Sequence, residues 1–290
     1  MGEQIVVGID GSASAVHATR WAAREAARRN AVLRLVHIRH WPLLLPAEDM
    51  YAEELTAKGR EWLATARAAA QAVAPDVYVV TDLGSGHPAR ELVEETEHAA
   101  LVVVGSRGLG GFRSLLLGSV ANVLATHAHC PVVVLRARTP EAPPPSDGPV
   151  VVGVDGGGTG TEAVEFAAAA AAAREVPLVV VHAWTYEGLL TAGRVPAGID
   201  WDEIAAARRR SFDEELAALR ERFTGIEVRG SLVRGRPVDG ILEQAEHAQL
   251  VVVGAHGRRR LVPGAVGATA HAVLHHATCP VAVVGERRKP

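Results

Sequence analysis

The chain is written twice. Val7-Gly-Ile-Asp-Gly11 recurs as Val152-Gly-Val-Asp-Gly156, Leu101-Val-Val-Val-Gly105 as Leu250-Val-Val-Val-Gly254, and Cys130-Pro131-Val132 as Cys279-Pro280-Val281. Matches at the start, middle and end of each half mean that a whole folding unit is duplicated, so whatever one copy folds into the chain must hold twice. A length of 290 residues gives each copy enough chain for a core of its own. Between the copies runs Thr139-Pro-Glu-Ala-Pro-Pro-Pro-Ser-Asp-Gly-Pro149, whose prolines lack an N–H donor and favour an extended, semi-rigid spacer. The expected division is a first domain over 1–138, a linker over 139–148 and a second domain over 149–290.

Within a copy, short apolar runs alternate with segments of helical period. The first copy predicts strands at Ile5–Ile9, Leu33–Ile38, Val77–Thr81, Leu101–Gly105 and Val132–Leu135, with helices near Ser14–Arg29, Ala47–Val73, His87–His98 and Ser119–His127. Runs such as Leu-Val-Val-Val do not alternate, as befits strands covered on both faces of a parallel sheet. The fold class is therefore α/β: two tandem, doubly wound, Rossmann-like domains, each around a five-stranded parallel sheet. In such sheets a ligand lies beyond the carboxyl ends of the strands, where strand order reverses.

Composition narrows the function classes. With 48% apolar residues and a formal net charge of −3, the chain reads as globular, not disordered, and carries no electrostatic footprint for nucleic acid. Cys130 and Cys279 fall at matching places in the two copies, which argues against a disulfide framework and for a reducing, cytoplasmic setting. Met1 to Gly8 enters a strand pattern without the flank of a signal peptide. The alanine run Ala167–Ala173 falls well short of the ~20 residues of a membrane span, so no membrane partner is expected.

Two glycine-bearing strand ends invite a phosphate reading. Gly84-Ser-Gly86-His-Pro-Ala89 fits G-x-G-x-x-A, but no acidic residue closes the next strand, and the second copy has only Arg234-Gly-Arg-Pro237 there; a turn opening a helix accounts for it. A Walker A loop is excluded, since no Gly-Lys-Ser or Gly-Lys-Thr occurs. The other strand end reads Gly105-Ser-Arg107-Gly108, nine residues that include Gly110 and Gly111, then Gly118-Ser119. Gly105 lets backbone approach a ligand closely, and the loop returns to a helix N-terminus, whose unpaired N–H groups and dipole favour phosphate. Arg107 supplies charge, and the Ser119 hydroxyl is placed either to cap the helix or to bond a phosphate oxygen.

This stretch, with Leu-Leu-Leu-Gly118-Ser119-Val120 and His129-Cys130-Pro131-Val132 after it, resembles the ATP-binding universal stress proteins, which carry G-x-x-G, nine residues, then G-(Ser or Thr) after the fourth strand. The resemblance implies ATP, or ADP or AMP, as ligand. It places Asp10 at the ribose or at a magnesium ion carried by the phosphates, Ile38 at the adenine, and Val104, Gly105, Arg107 and Gly108 along sugar and phosphates. Gly118, Ser119 and Val120 would hold the phosphates; the alternative for Asp10 is an N-cap of the following helix. In the second copy the corresponding set is Asp155, Ala183, Val253, Gly254, His256, Gly257, Gly267, Ala268 and Thr269, with Asp155 in the magnesium role. There the hydroxyl has moved one place on, to Thr269, and His256 replaces Arg107, while Arg258, Arg259 and Arg260 stand close by. The second copy is expected to bind, but more weakly. In the family the last strand makes dimers, which implies an intrachain pseudo-dimer here and leaves a homodimer of chains open.

The 13 histidines include His127, His129, His271, His275 and His276, but no C-x-x-C or H-E-x-x-H pattern accompanies them, and a helix end carrying cations toward its negative pole explains them. His37 and His182, in mid-strand, read as structural, and the aromatics, Trp41, Trp62 and Tyr186 among them, as packing residues. The resemblance implies a binding and regulatory role in stress response or growth control. A slow ATPase or autophosphorylating enzyme in the same pocket is the alternative, although no general base stands out beside the phosphates, and no catalytic residue is assigned. A flavin or dinucleotide electron-transfer protein is a third reading.

Overall fold

The structure, a computed structural model, describes residues 2–40, 48–108, 117–139, 142–156, 161–184, 200–256 and 266–285. The first copy runs β1 (Gln4–Gly8), α1 (Ala13–Arg29), β2 (Val32–Arg39), α2 (Glu48–Gln71), β3 (Val79–Ser85), α3 (Pro88–Glu95), β4 (Leu101–Gly105), α4 (Ser119–His127) and β5 (Val132–Leu135). The second runs β6 (Val150–Val154), α5 (Thr161–Ala172), β7 (Leu178–Trp184), α6 (Trp201–Arg222), β8 (Val228–Arg234), α7 (Pro237–Ala245), β9 (Leu250–Gly254), α8 (Ala268–His276) and β10 (Val281–Val284).

The strands form one ten-stranded sheet in the order β3-β2-β1-β4-β5-β10-β9-β6-β7-β8. Each half is parallel throughout, and the order reverses between β1 and β4 and again between β6 and β9. The halves join where β5 meets β10 antiparallel, Ala282 opposite Val133, so the two last strands satisfy each other as an intrachain pseudo-dimer. Because those edges are used inside one chain, a homodimer of chains would have to use a different surface.

Both faces of the sheet are buried, and successive residues serve opposite faces. Ile5, Val7, Leu101, Val103 and Ala282 pack in one core with α1, α2, α5 and α6; Val6, Val102, Val104 and Val281 pack in the other with α3, α4, α7 and α8. This accounts for the unbroken valine runs. Each core runs through both copies. One strand departs from its sequence expectation: β3 runs from Val79 to Ser85 instead of Val77 to Thr81, because β2 offers partners out to Arg39 opposite Ser85. Gly84 therefore lies inside a strand, where a Cβ would stand 2.7 Å from Ile38 Cδ1, and does not belong to a phosphate turn.

The linker does not behave as a free spacer. Ala142 and Pro144 line one cavity together with His17 of α1, Ala142, Pro143, Pro145 and Asp147 line another with Glu246 and His247 of the second copy, and Gln249 donates from its side chain to the Gly148 carbonyl at 2.6 Å. Cys130 and Cys279 are both free thiols, each pushed up to about 12 by burial, and behave as small apolar residues.

Beneath the α1 and α5 face lies a buried ionic contact between the copies. Glu25 of α1, with its side chain 1% exposed, accepts from Arg29 at 2.6 Å on its own helix and from Arg174, just after α5, at 2.7 Å. The Arg29 guanidinium sits over the Phe166 ring at 5.3 Å and that of Arg174 over the Trp21 ring at 5.5 Å. Arg29 and Arg174 occupy matching positions in the repeat, as do Trp21 and Phe166, so each copy lays its arginine on the other's ring. Removing one partner of a buried pair leaves an uncompensated charge at a cost of about 3–5 kcal/mol. Glu25→Ala should lose that much stability in urea unfolding, with both copies melting together, whereas Glu25→Leu combined with Arg174→Met should recover most of it.

Candidate functional site

The first copy's site is built where β1 and β4 end side by side. After β1 the chain turns at Gly11, whose φ of +85° suits glycine, and a Cβ there would meet the Trp62 indole of α2 at 2.3 Å. Ser12 then caps α1: its hydroxyl accepts from the Ala15 N–H at 3.1 Å. Asp10 is not the cap. Its Oδ1 accepts instead from the Ser12 N–H at 3.0 Å and from the Ser12 hydroxyl at 2.7 Å, which holds the carboxylate at the sheet edge.

The loop after β4 closes on this turn. Ser106 N–H donates to the Ser14 hydroxyl of α1 at 3.0 Å, and the Arg107 carbonyl lies 3.3 Å from the Ser12 hydroxyl. A Cβ on Gly108 would stand 2.2 Å from Asp10 Oδ2, so only glycine lets this backbone pass so close to the carboxylate. Gly118 N–H donates to the Ser106 carbonyl at 2.9 Å, which fixes the start of α4 beside the same loop. Gly118 is the N-cap and has no side chain to offer, so the first turn of α4 carries no side-chain cap. Ser119 is the first helical residue and is exposed, which rules out the capping role considered for its hydroxyl.

Asp10, Gly105, Arg107, Gly108, Gly118 and Ser119 thus come to one locus at the reversal point of strand order. Ile38 lies one strand further out, half-buried near the end of β2 and opposite Gly84. Val104 is in the strand core, 4% exposed, and Val120 packs partly against that same core, so both offer a ligand their backbone more than their side chain. His37 is structural: its Nδ1 lies 2.7 Å from the Ile9 carbonyl and its ring meets Trp62 edge-on at 5.1 Å.

The second copy repeats the frame with fewer hydroxyls. Gly267 N–H donates to the Ala255 carbonyl at 2.8 Å, matching the Gly118 link, and Gly267 caps α8 without a side chain, ahead of exposed Ala268 and half-buried Thr269. Asp155 follows β6 directly, Gly156 has a φ of +68° against the His182 ring, and Ala183 lies near the end of β7 opposite Val233. Val253 is buried in β9, Gly254 ends that strand, and His256 is half-buried. Gly257, Arg258, Arg259 and Arg260 lie outside the described residues, as do Gly110, Gly111, Trp41 and Tyr186.

These residues fit a nucleotide. The start of α4, whose N–H groups no side chain caps, stands beside the loop backbone, with the Gly118 N–H on the Ser106 carbonyl, while Arg107 Nε is buried without a hydrogen-bond partner among the described residues. Among the described residues no group of three acidic, histidine or cysteine side chains could hold a metal, so a magnesium ion would depend on ligands supplied by nucleotide phosphates. Sequence reading overlooked Ser12 and Ser14. The two serines were findable, as alternate hydroxyls just beyond Asp10 at a helix start; Trp62, read as a packing residue, packs at Gly11 and against His37.

Fold and site together define a doubly wound α/β protein whose glycine-bearing loops recur at the reversal points of two fused sheets. The model of the universal stress protein family matches residues 1–136 and again 148–285, and the chain belongs to that family. Universal stress protein Rv2005c of Mycobacterium tuberculosis is 35% identical over 287 residues, covering 96% of this chain and 96% of its own length. Universal stress protein Rv2623 of the same organism is 35% identical over 292 residues, covering 97% of this chain and 96% of its own. The crystal structure of a universal stress protein from Archaeoglobus fulgidus has the same fold, with a TM-score of 0.73 at 20% identity over 98% of both chains.

Ser12 joins the helix cap to the placement of Asp10. Ser12→Ala should lower stability by about 1 kcal/mol in urea unfolding, the usual effect of losing a side-chain cap.

Proposed function

We propose that this chain binds an adenine nucleotide, ATP or its products ADP and AMP, tightly in the first copy and more weakly in the second, and that it serves as a binding and regulatory module in a stress response. The observation that carries the reading is the uncapped start of α4, whose first N–H groups stand beside the loop backbone that also brings Gly108 onto Asp10. A phosphate would answer it: helix N–H groups are the donors it needs, and each charge-assisted bond contributes about 1.5–3 kcal/mol. Membership of the universal stress protein family supports the same ligand class.

Binding is favoured over turnover by the state of Asp10, the one carboxylate at the first site among the described residues. Asp10 Oδ1 already accepts twice from Ser12, which suits a fixed acceptor for ribose hydroxyls better than a base that must take up a proton. A cytoplasmic setting agrees with this role, and no helix among the described residues is long and apolar enough to cross a membrane.

Gly118 offers a test that spares the fold. Its φ of −72° and ψ of 154° are open to any residue, and a Cβ there would lie 3.5 Å from the nearest described atom, the Ser106 carbonyl oxygen. Gly118→Val should therefore fold normally while its side chain fills the space of a phosphate. Equilibrium dialysis with ATP should find two sites in the unaltered protein, loss of the tighter in Gly118→Val, and loss of the weaker, by about tenfold or more in affinity, in Gly267→Val. Loss of all binding in Gly118→Val would leave the second copy without a nucleotide, and no binding of ATP, ADP or AMP by the unaltered chain would refute the reading.

A further inference from the structure

The copies differ at a place that the glycine-bearing loops do not use. In the register that aligns Cys130 with Cys279, Asn122 and Thr126 of α4 match His271 and His275 of α8, while His127 matches His276. The two helices expose these positions alike: Asn122 and His271 are exposed, and Thr126 and His275 are half-buried. In α4 the Thr126 hydroxyl donates to the Asn122 carbonyl at 2.9 Å, a local bond that leaves the helix regular. In α8 the same two positions carry a pair of imidazoles.

Residues four apart lie on one face of a helix, one turn above the other. The ring centroids of His271 and His275 are 4.4 Å apart, with their planes inclined by 35°. An ion at the roughly 2.0 Å of a metal–nitrogen bond stands about 3.1 Å from an imidazole centroid, so two rings on one ion lie about 4.5 Å apart at a right angle and about 5 Å apart at the tetrahedral angle. The separation of His271 and His275 fits the right angle, which square-planar and tetragonal ions such as Cu(II) and Ni(II) take with nitrogen donors. The His276 centroid lies 6.4 Å from that of His275, beyond the reach of a shared ion, so the protein fills two coordination positions. That agrees with the lack, among the described residues, of any three-ligand group.

Burial first, and after it His271, Arg136 and His276, hold the His275 imidazole below its usual range. It is uncharged at neutral pH, the form a metal binds, and the attraction of a helix end for cations does not account for it. Arg136 is the cation that the first copy brings to this end of α8, where its Nε and Nη2 donate to the Ala277 and His275 carbonyls at 3.2 and 2.6 Å. Its charge opposes an incoming ion and keeps the expected affinity modest.

We propose that His271 and His275 form a two-imidazole site on the surface of α8 for a divalent tetragonal ion, Cu(II) or Ni(II), with water in the remaining positions. The site makes no use of the glycine-bearing loops, so it stands whether or not either copy binds a nucleotide. A bound ion ties two successive turns of α8 together, beside the point where Arg136 joins the copies.

The test titrates the full-length, tag-free protein with Ni(II), followed by calorimetry and by thermal melting. One saturable site is expected, with a melting temperature that rises as Ni(II) is added. His271→Asn and His275→Thr introduce the residues that α4 already carries at these positions, so both variants should fold. Each should weaken binding about a hundredfold, the advantage of two joined donors over one, and remove the rise in melting temperature. The converse change on α4, Asn122→His with Thr126→His, should raise the stoichiometry to two. Among the described residues His40 and His87, both exposed with ring centroids 5.4 Å apart, are the competing pair, and His87→Gln should leave the titration as it was. The proposal is overturned by any of four results: no saturable Ni(II) binding, binding unaltered by His271→Asn or His275→Thr, a stoichiometry of one in the α4 double variant, or loss of the site in His87→Gln.

Discussion

The antiparallel pairing of β5 with β10 is the constraint on which the rest of the molecule depends. Each is a four-residue strand, Val132–Leu135 and Val281–Val284, and alone each would leave an apolar sheet edge open to any passing strand. Pairing them turns two sheets into one and forces the copies into a twofold-like relation. From that relation follow the reciprocal arginine and ring contacts of α1 and α5, the reach of Arg136 to the end of α8, and two cores that each run the length of the sheet. The copies are therefore not independent domains on a tether. They unfold as one body if the shared cores dominate, because neither core is complete in half a chain.

The fold was legible in the sequence for physical reasons that apply to few proteins so cleanly. Valine runs without alternation require cover on both faces, and the internal repeat fixed how many times the unit occurs. Strand ends were less legible: β3 extends to Ser85 because β2 continues beside it, and no local property of Leu83 or Gly84 announces that partner. The site was legible where backbone geometry demands glycine, as at Gly108, and less so where side chains act through other side chains. Asp10 looked like a ligand or a cap, and its tie to Ser12 resolves that choice only in three dimensions. The linker's prolines told of an extended path but not of the hydrogen bond that holds its end, which comes from Gln249, far away in sequence.

Duplication has preserved the backbone of the two sites better than their side chains. The link from the loop to the helix start is 2.9 Å in the first copy and 2.8 Å in the second, while Ser12 has become Gly157 and Arg107 has become His256. Main-chain hydrogen bonds are indifferent to such replacements, so the frame survives while the chemistry in it diverges. A chain of this kind can hold two pockets of one shape and different electrostatics.

Glu25 carries a lesson about parity. A dimer of identical chains repeats every residue near its axis, so any acid placed there comes with a second acid facing it, and charges across the interface occur in even numbers. Here the position that matches Glu25 is Ala170, and one carboxylate serves both Arg29 and Arg174. An odd count of that sort is closed to identical chains and open to a fused pair. Once both halves travel in one gene, the interface can shed the redundant charge, and with it the freedom of either half to pair with a copy of itself.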